Sequence, residues 1–196
     1  MVEALGAVLT LPGFWLIMTM AVIAGAVYGF GGCGAALIFM PVAVRLLPVE
    51  MAVAGFNIAA IGSAFTVLPD ALRQVERRGL TQMILAAVPT AAIGVWVLRT
   101  ADVDLLRWAV ILITLLTLVA LVMGWRYRTV PAVRTRVAVG AATGLVGGAT
   151  GLLGPIMVLF QLAGGDSAAR NRATTLAFLT ITSVLLLPLM AIGGVL

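Results

Sequence analysis

The chain has 196 residues, of which 63% are hydrophobic and only 10% charged, and its mean hydropathy is +1.21. An ordinary soluble domain is about 45–50% apolar and about 25% charged, so this sequence lacks the polar surface to dissolve as a globule. His is absent and Cys33 is the single Cys. That excludes an internal disulfide, a His-dependent catalytic triad and the Cys/His clusters of zinc, haem or iron–sulfur sites, so no metal and no cofactor is expected. The net charge of +5 comes from Arg residues lying between apolar runs. Membrane orientation explains them better than nucleic acid does.

Taken in chain order, the charge-free stretches are residues 4–44, 51–69, 79–98, 108–125, 137–165 and 173–196. The N-terminus carries Glu3 and no basic residue ahead of its apolar run, so it does not read as a signal peptide. A spanning helix needs about 20 apolar residues. The runs 51–69, 79–98, 108–125 and 173–196 each predict one crossing. The run 4–44 is too long for one helix. The run 137–165 would be about 44 Å long if wholly helical, which is too long for one crossing and too short for two. A broken helix or a re-entrant pair of half-helices fits it.

The basic residues give a partial topology. Loop 70–79 holds Arg73, Arg77 and Arg78, and segment 126–136 holds Arg126, Arg128, Arg134 and Arg136, which places both inside; loop 99–107, balanced by Asp102 and Asp104, lies outside. This predicts a hairpin of 79–98 and 108–125. Trp96, Trp108, Trp125 and Tyr127 fall at segment ends, as interfacial anchors do.

Two glycine-rich segments share a register. Residues 25–41 read GAVYGFGGCGAALIFMP and residues 144–160 read GLVGGATGLLGPIMVLF. An offset of 119 pairs Gly25 with Gly144, Gly29 with Gly148, Gly32 with Gly151 and, further on, Pro69 with Pro188. This predicts an internal repeat, half one about 13–125 and half two about 132–196. Gly weakens a helix interior by about 1 kcal/mol relative to Ala, and broken backbone inside lipid is tolerated only where protein or a water-filled cavity covers it. Interrupted segments at matching places in two halves point to a transporter's binding site. The competing reading is close helix packing of the small-xxx-small kind, as in Gly25-xxx-Gly29 and Gly144-xxx-Gly148.

The stretch Gly29-Phe30-Gly31-Gly32-Cys33-Gly34 through Pro41 resembles the first glycine motif of the TauE/SafE-type sulfite exporter (TSUP) family. Gly147-Gly148-Ala149-Thr150-Gly151-Leu152-Leu153-Gly154-Pro155, followed by Arg172-Ala173-Thr174, resembles the second. The resemblance runs from about residue 15 onward. It implies a polytopic carrier of the bacterial inner membrane with two related halves, moving sulfite, thiosulfate, organosulfonates or other small anions. Cys33, Leu153 and Ile156 depart from the usual pattern. The counterpart of residues 79–125 in half two is missing, so the second half reads as incomplete. Another chain supplying those helices, for instance in a homodimer, is one way to complete it.

No acidic residue lies inside an apolar segment. That argues against an intramembrane enzyme and against a cation carrier, because ionisable residues at depth mark proton and ion pathways. An anion site needs no buried Arg: a half-helix N-terminus offers free N–H groups and the positive end of a dipole. The candidate substrate-binding residues are therefore Gly29, Gly31, Gly32, Cys33 and Gly34 in the first segment and Gly148, Thr150, Gly151, Gly154 and Pro155 in the second. Asn57, Thr174 and Arg172 join them. Each has a plainer reading: Cys33 a small buried residue, Arg172 a helix-end anchor, Asn57 and Gln161 partners of a neighbouring helix. The fold expected is an all-α membrane protein, a multi-pass bundle of about six hydrophobic segments. Two of them are Gly-rich broken helices, in an inverted repeat. The function expected is export of a small anion by alternating access; the alternative is a membrane subunit or scaffold that transports nothing, its glycines serving packing.

Overall fold

The computed structural model describes residues 13–31, 34–123, 132–163 and 167–194. Among these residues the chain is all-helical: α1 Phe14–Gly31, α2 Ala35–Leu46, α3 Val49–Thr66, α4 Leu68–Gln74, α5 Arg77–Thr100, α6 Val103–Val122, α7 Val133–Thr150, α8 Gly154–Ala163 and α9 Ala168–Ile192. Four of them, α3, α5, α6 and α9, are long and apolar enough to cross a membrane, one for each run of suitable length in the sequence. In lipid every backbone polar group needs an internal partner, which a helix supplies within itself. The described part of the run 4–44 gives α1 and, beginning after the non-helical Gly34, α2. The run 137–165 likewise gives α7, an interruption and α8.

The offset that relates the glycines also relates the helices. α1 and α7 begin at 14 and 133, α2 and α8 at 35 and 154, α3 and α9 at 49 and 168. The two series part at their ends. Pro69 falls at the start of α4 after a turn at Val67, whereas α9 runs on through Pro188.

Local chemistry sets the boundaries. Asp102 caps α6, accepting from the N–H groups of Asp104 at 2.8 Å and Leu105 at 3.4 Å. Ser167 caps α9 by accepting from Arg170 N at 3.4 Å. Within α5, Pro89 removes one backbone donor, and next to it Thr90 Oγ1 donates to the carbonyls of Ala86 and Ala87, both at 3.0 Å.

The tightest pair in the molecule is α5 with α7. A Cβ on Gly140 would lie 2.3 Å from Met83 O, one on Gly144 2.2 Å from Ala87 O, and one on Gly148 2.4 Å from Ala91 O. From the other side, a Cβ on Gly94 would lie 2.4 Å from Leu145 O. Glycines four apart thus let two backbones touch. A bidentate ion pair closes the seam: Arg136 donates to Glu76 at 2.8 and 3.2 Å.

This seam corrects the expected hairpin of 79–98 with 108–125. Its two helices are joined by a short turn, but α6 packs on the half-helices α2 and α8 rather than along α5. The reason is shape: the α5 face carrying Ala87, Ala91 and Gly94 is filled by α7. The outer face of α6, including Leu105, Trp108, Leu112, Leu116 and Val122, stays exposed, as does Trp96 on α5. That much apolar surface suits lipid and not water. Trp125 and Tyr127 lie outside the described residues. The core lies where the half-helices meet the long helices, with Met40, Leu152, Met157 and Phe178 at 0% exposure.

Candidate functional site

Both interruptions are made by glycine in the left-handed region. Gly34 has φ +96° and caps α2; Gly151 has φ +74° and ends α7. A side chain is disfavoured in that conformation. After Gly151, Leu152 and Leu153 are non-helical and α8 begins at Gly154. Thr150 ties the turn: its hydroxyl donates to Val146 O at 2.7 Å and accepts from Leu152 N at 3.3 Å.

The two interruptions adjoin. A Cβ on Gly154 would stand 3.9 Å from the backbone N of Gly34, so the N-termini of α2 and α8 meet. A Cβ on Gly151 would stand 3.0 Å from Met40 Cε and 3.4 Å from Val53 Cγ2, which packs the second interruption onto α2 and α3. Gly34 has no side chain to cap α2, and the first intrahelical bond, Ile38 N to Gly34 O, is long at 3.3 Å. Helix N-termini leave their first N–H groups without intrahelical partners. Unlike α6 and α9, α2 has no side-chain cap at its start. At its other end Arg107 Nε donates to Val44 O at 3.0 Å, a cation placed where the helix dipole is negative.

A cavity of about 430 Å³ opens beside this meeting point, walled by α1, α2, α3 and α9 and touching Gly34, Ala35, Leu153 and Gly154. Its wall is apolar, with Phe39 and Phe56 stacked at 5.9 Å between centroids. Hydroxyls punctuate it: Tyr28, whose phenol shares a 2.9 Å hydrogen bond with Thr180, and Ser183, only 3% exposed. Among the described residues no Asp, Glu or Arg lines it, and no group of His, Cys, Asp or Glu could hold a metal.

The expected site residues fall into three sets. Gly34, Gly151, Gly154 and buried Pro155 form the interruptions. Gly29 lies in the last turns of α1, and Gly31 ends that helix. Asn57 is fully buried one turn beyond Val53, its Nδ2 donating to Val53 O at 2.8 Å and its Oδ1 without a partner.

A second set does other work. Gly148 packs against α5. Thr174 donates to Arg170 O within its own helix, as Thr175 does to Asn171 O. Arg172 Nη2 donates to Gly29 O, capping the carbonyl end of α1. The bridge from α9 to α8 runs through the main chain of Gln161, whose O accepts from Asn171 Nδ2 at 3.2 Å. Gly32 and Cys33 form the third set and lie outside the described residues.

Sequence reasoning passed over Tyr28, Thr180 and Ser183. The available signal was a Tyr between glycines in an apolar run, since a buried phenol needs a hydrogen-bond partner.

No curated protein and no solved structure is similar enough to the chain to match it. A family model does: the one described as sulfite exporter TauE/SafE matches residues 17–196, a span that holds both interruptions and the cavity wall. The chain therefore belongs to the sulfite exporter TauE/SafE family, a family of membrane transporters.

Proposed function

We propose that the chain carries a small anion, sulfite, thiosulfate or an organosulfonate, out of the cell across the bacterial plasma membrane by alternating access. The anion rests where α2 and α8 begin. The observation that carries this reading is the approach of Gly154 to Gly34 N, which aims two helix N-termini at one place beside a cavity. Unpaired N–H groups there offer donors to an oxyanion, and the dipoles add up to about 2 kcal/mol in a partly buried geometry. An inside-negative potential favours anion exit by about 2.3 kcal/mol per charge per 100 mV, so export needs no coupling carboxylate. The shared offset of helix starts supports two related halves, and an inverted relation suits alternating access. The packing-only alternative accounts for Gly144 and Gly148 at the α5–α7 seam but gives no role to Gly34 or Gly154.

The test is labelled sulfite and thiosulfate efflux from liposomes holding the purified chain under an imposed potential. Gly154→Leu is the informative variant, because a Cβ there meets nothing closer than 3.9 Å, so the side chain starts without a clash and enters the meeting point. Efflux is expected to fall at least tenfold with an unchanged melting temperature. Efflux equal to that of the unsubstituted chain overturns the site, and flux independent of the potential overturns the direction.

A further inference from the structure

We infer that the cavity between α1 and α3 is, along its length, the seat of one further membrane-spanning helix, and that a second copy of this chain fills it with its own α1. Nothing in this depends on which solute is carried.

The corresponding seat in the second half is filled. α5 lies on α7 at Arg136, Gly140, Gly144 and Gly148, opposite Gly79, Met83, Ala87 and Ala91. The offset of 119 carries those four α7 positions to Ile17, Ala21, Gly25 and Gly29 of α1. The first three line the cavity, and a Cβ on Gly25 or Gly29 would meet nothing within 4 Å. α5 also packs on α9. The counterpart of α9 is α3, whose Met51, Gly55 and Ala59 form the facing wall of the same cavity. Both helices that hold α5 thus have counterparts flanking an empty trough. Its wall follows α1 from Ile17 to Tyr28 and α3 from Met51 to Ser63, about 16–18 Å of each helix at 1.5 Å per residue. Ala21, Gly25, Met51, Gly55 and Ala59 are exposed, so the trough is open along its side. No described helix of the second half corresponds to α5.

The same comparison sets the occupant. Met83, Ala87 and Ala91 meet Gly140, Gly144 and Gly148 in rising order along both helices, so α5 and α7 are parallel. The trough therefore takes a helix parallel to α1 with a face of small residues, because in lipid close backbone approach is what holds two helices together. Among the described helices, the small faces of α5 and α7 are spent on each other. The exposed face of α6 carries Trp108, Leu112 and Leu116, too bulky for such an approach. The face of α1 with Ala21, Gly25 and Gly29 is small and uncovered. A two-fold axis normal to the membrane sets the α1 helices of two copies parallel, and an isologous contact lays each in the other's trough. The second copy then closes the lipid side of the cavity and leaves its inner end, at Gly34 and Gly154, enclosed.

Energy transfer tests this. The full chain, bearing a donor or an acceptor fluorophore at its C-terminus, is placed in phosphatidylethanolamine/phosphatidylglycerol vesicles and diluted with lipid. Transfer is expected to follow a two-body dissociation curve. Gly25→Leu on one wall and Gly55→Leu on the other are each expected to weaken pairing roughly tenfold or more, as a side chain holding two backbones apart requires. A Cβ at either position meets no atom of its own chain within 4 Å, so an unchanged melting temperature is expected in detergent that separates the copies. Leu112→Ala, on the outer face of α6, is expected to leave pairing as it was. A chain that stays single at every dilution overturns the inference, and lipid then lines the trough. Pairing that survives both leucines, or that Leu112→Ala abolishes, overturns it too, because the copies then meet elsewhere.

Discussion

The segments around Gly25–Gly34 and Gly144–Gly154 start from the same spacing and end in different surroundings. In α7, Gly140, Gly144 and Gly148 press against the backbone of α5, and a single Cβ on any of them would approach a carbonyl oxygen to within 2.4 Å. In α1, a Cβ on Gly25 or Gly29 would meet nothing within 4 Å, and Gly25 borders the cavity. One glycine pair is a contact surface; the other is open space. Both segments nevertheless end in a left-handed glycine, Gly34 or Gly151, so the interruption is common to both while the packing is not. Glycine spacing therefore fixes where backbones can approach. It does not say whether one does.

The sharpest way to break this contrast is to add one methyl group at each place. Gly144→Ala is expected to cost about 2–3 kcal/mol, since the Cβ can be relieved only by parting two helices. Gly148→Ala should behave alike. Chemical unfolding in detergent measures both, and a loss under about 0.5 kcal/mol would mean that the α5–α7 seam is looser than described. Next in size is Glu76→Gln, which leaves Arg136, whose side chain is only 17% exposed, without its carboxylate. A loss of about 1 kcal/mol is expected, recovered in part by the exchanged pair Glu76→Arg with Arg136→Glu. The smallest effect has the opposite sign. Gly25→Ala should stabilise by up to about 1 kcal/mol, the ordinary helix preference for Ala, because the added atom meets no neighbour. A clear destabilisation would show that α1 is covered in the membrane.

Much of the fold was legible because lipid imposes it. A spanning helix has a fixed length, so the charge-free runs predicted α3, α5, α6 and α9, and the two runs of awkward length predicted the interruptions. The offset of 119 found in the glycines then reappeared in the helix starts. Packing partners were less legible. The run order suggested α5 against α6, yet α5 holds α7, because Ala87, Ala91 and Gly94 complement glycines that arrive from elsewhere in the chain.

The site was legible as a place and less so as a set of side chains. Gly34 and Gly151 announce themselves through backbone demands. The hydroxyls of Thr150, Thr174 and Thr175 all turn back onto their own helices, a local choice always open to Thr. Tyr28 and Thr180 matter through pairing across the fold, which no local pattern reports.

The α5–α7 seam has a mechanical corollary. Two helices whose main chains touch along several turns leave no slack for sliding, and the Arg136–Glu76 clamp pins one end. They would travel as a single stiff beam. α1 leans chiefly on α2, with the Tyr28–Thr180 and Arg172–Gly29 links as its attachments to α9. The alternating-access motion proposed above would thus meet its stiffest resistance along the α5–α7 seam.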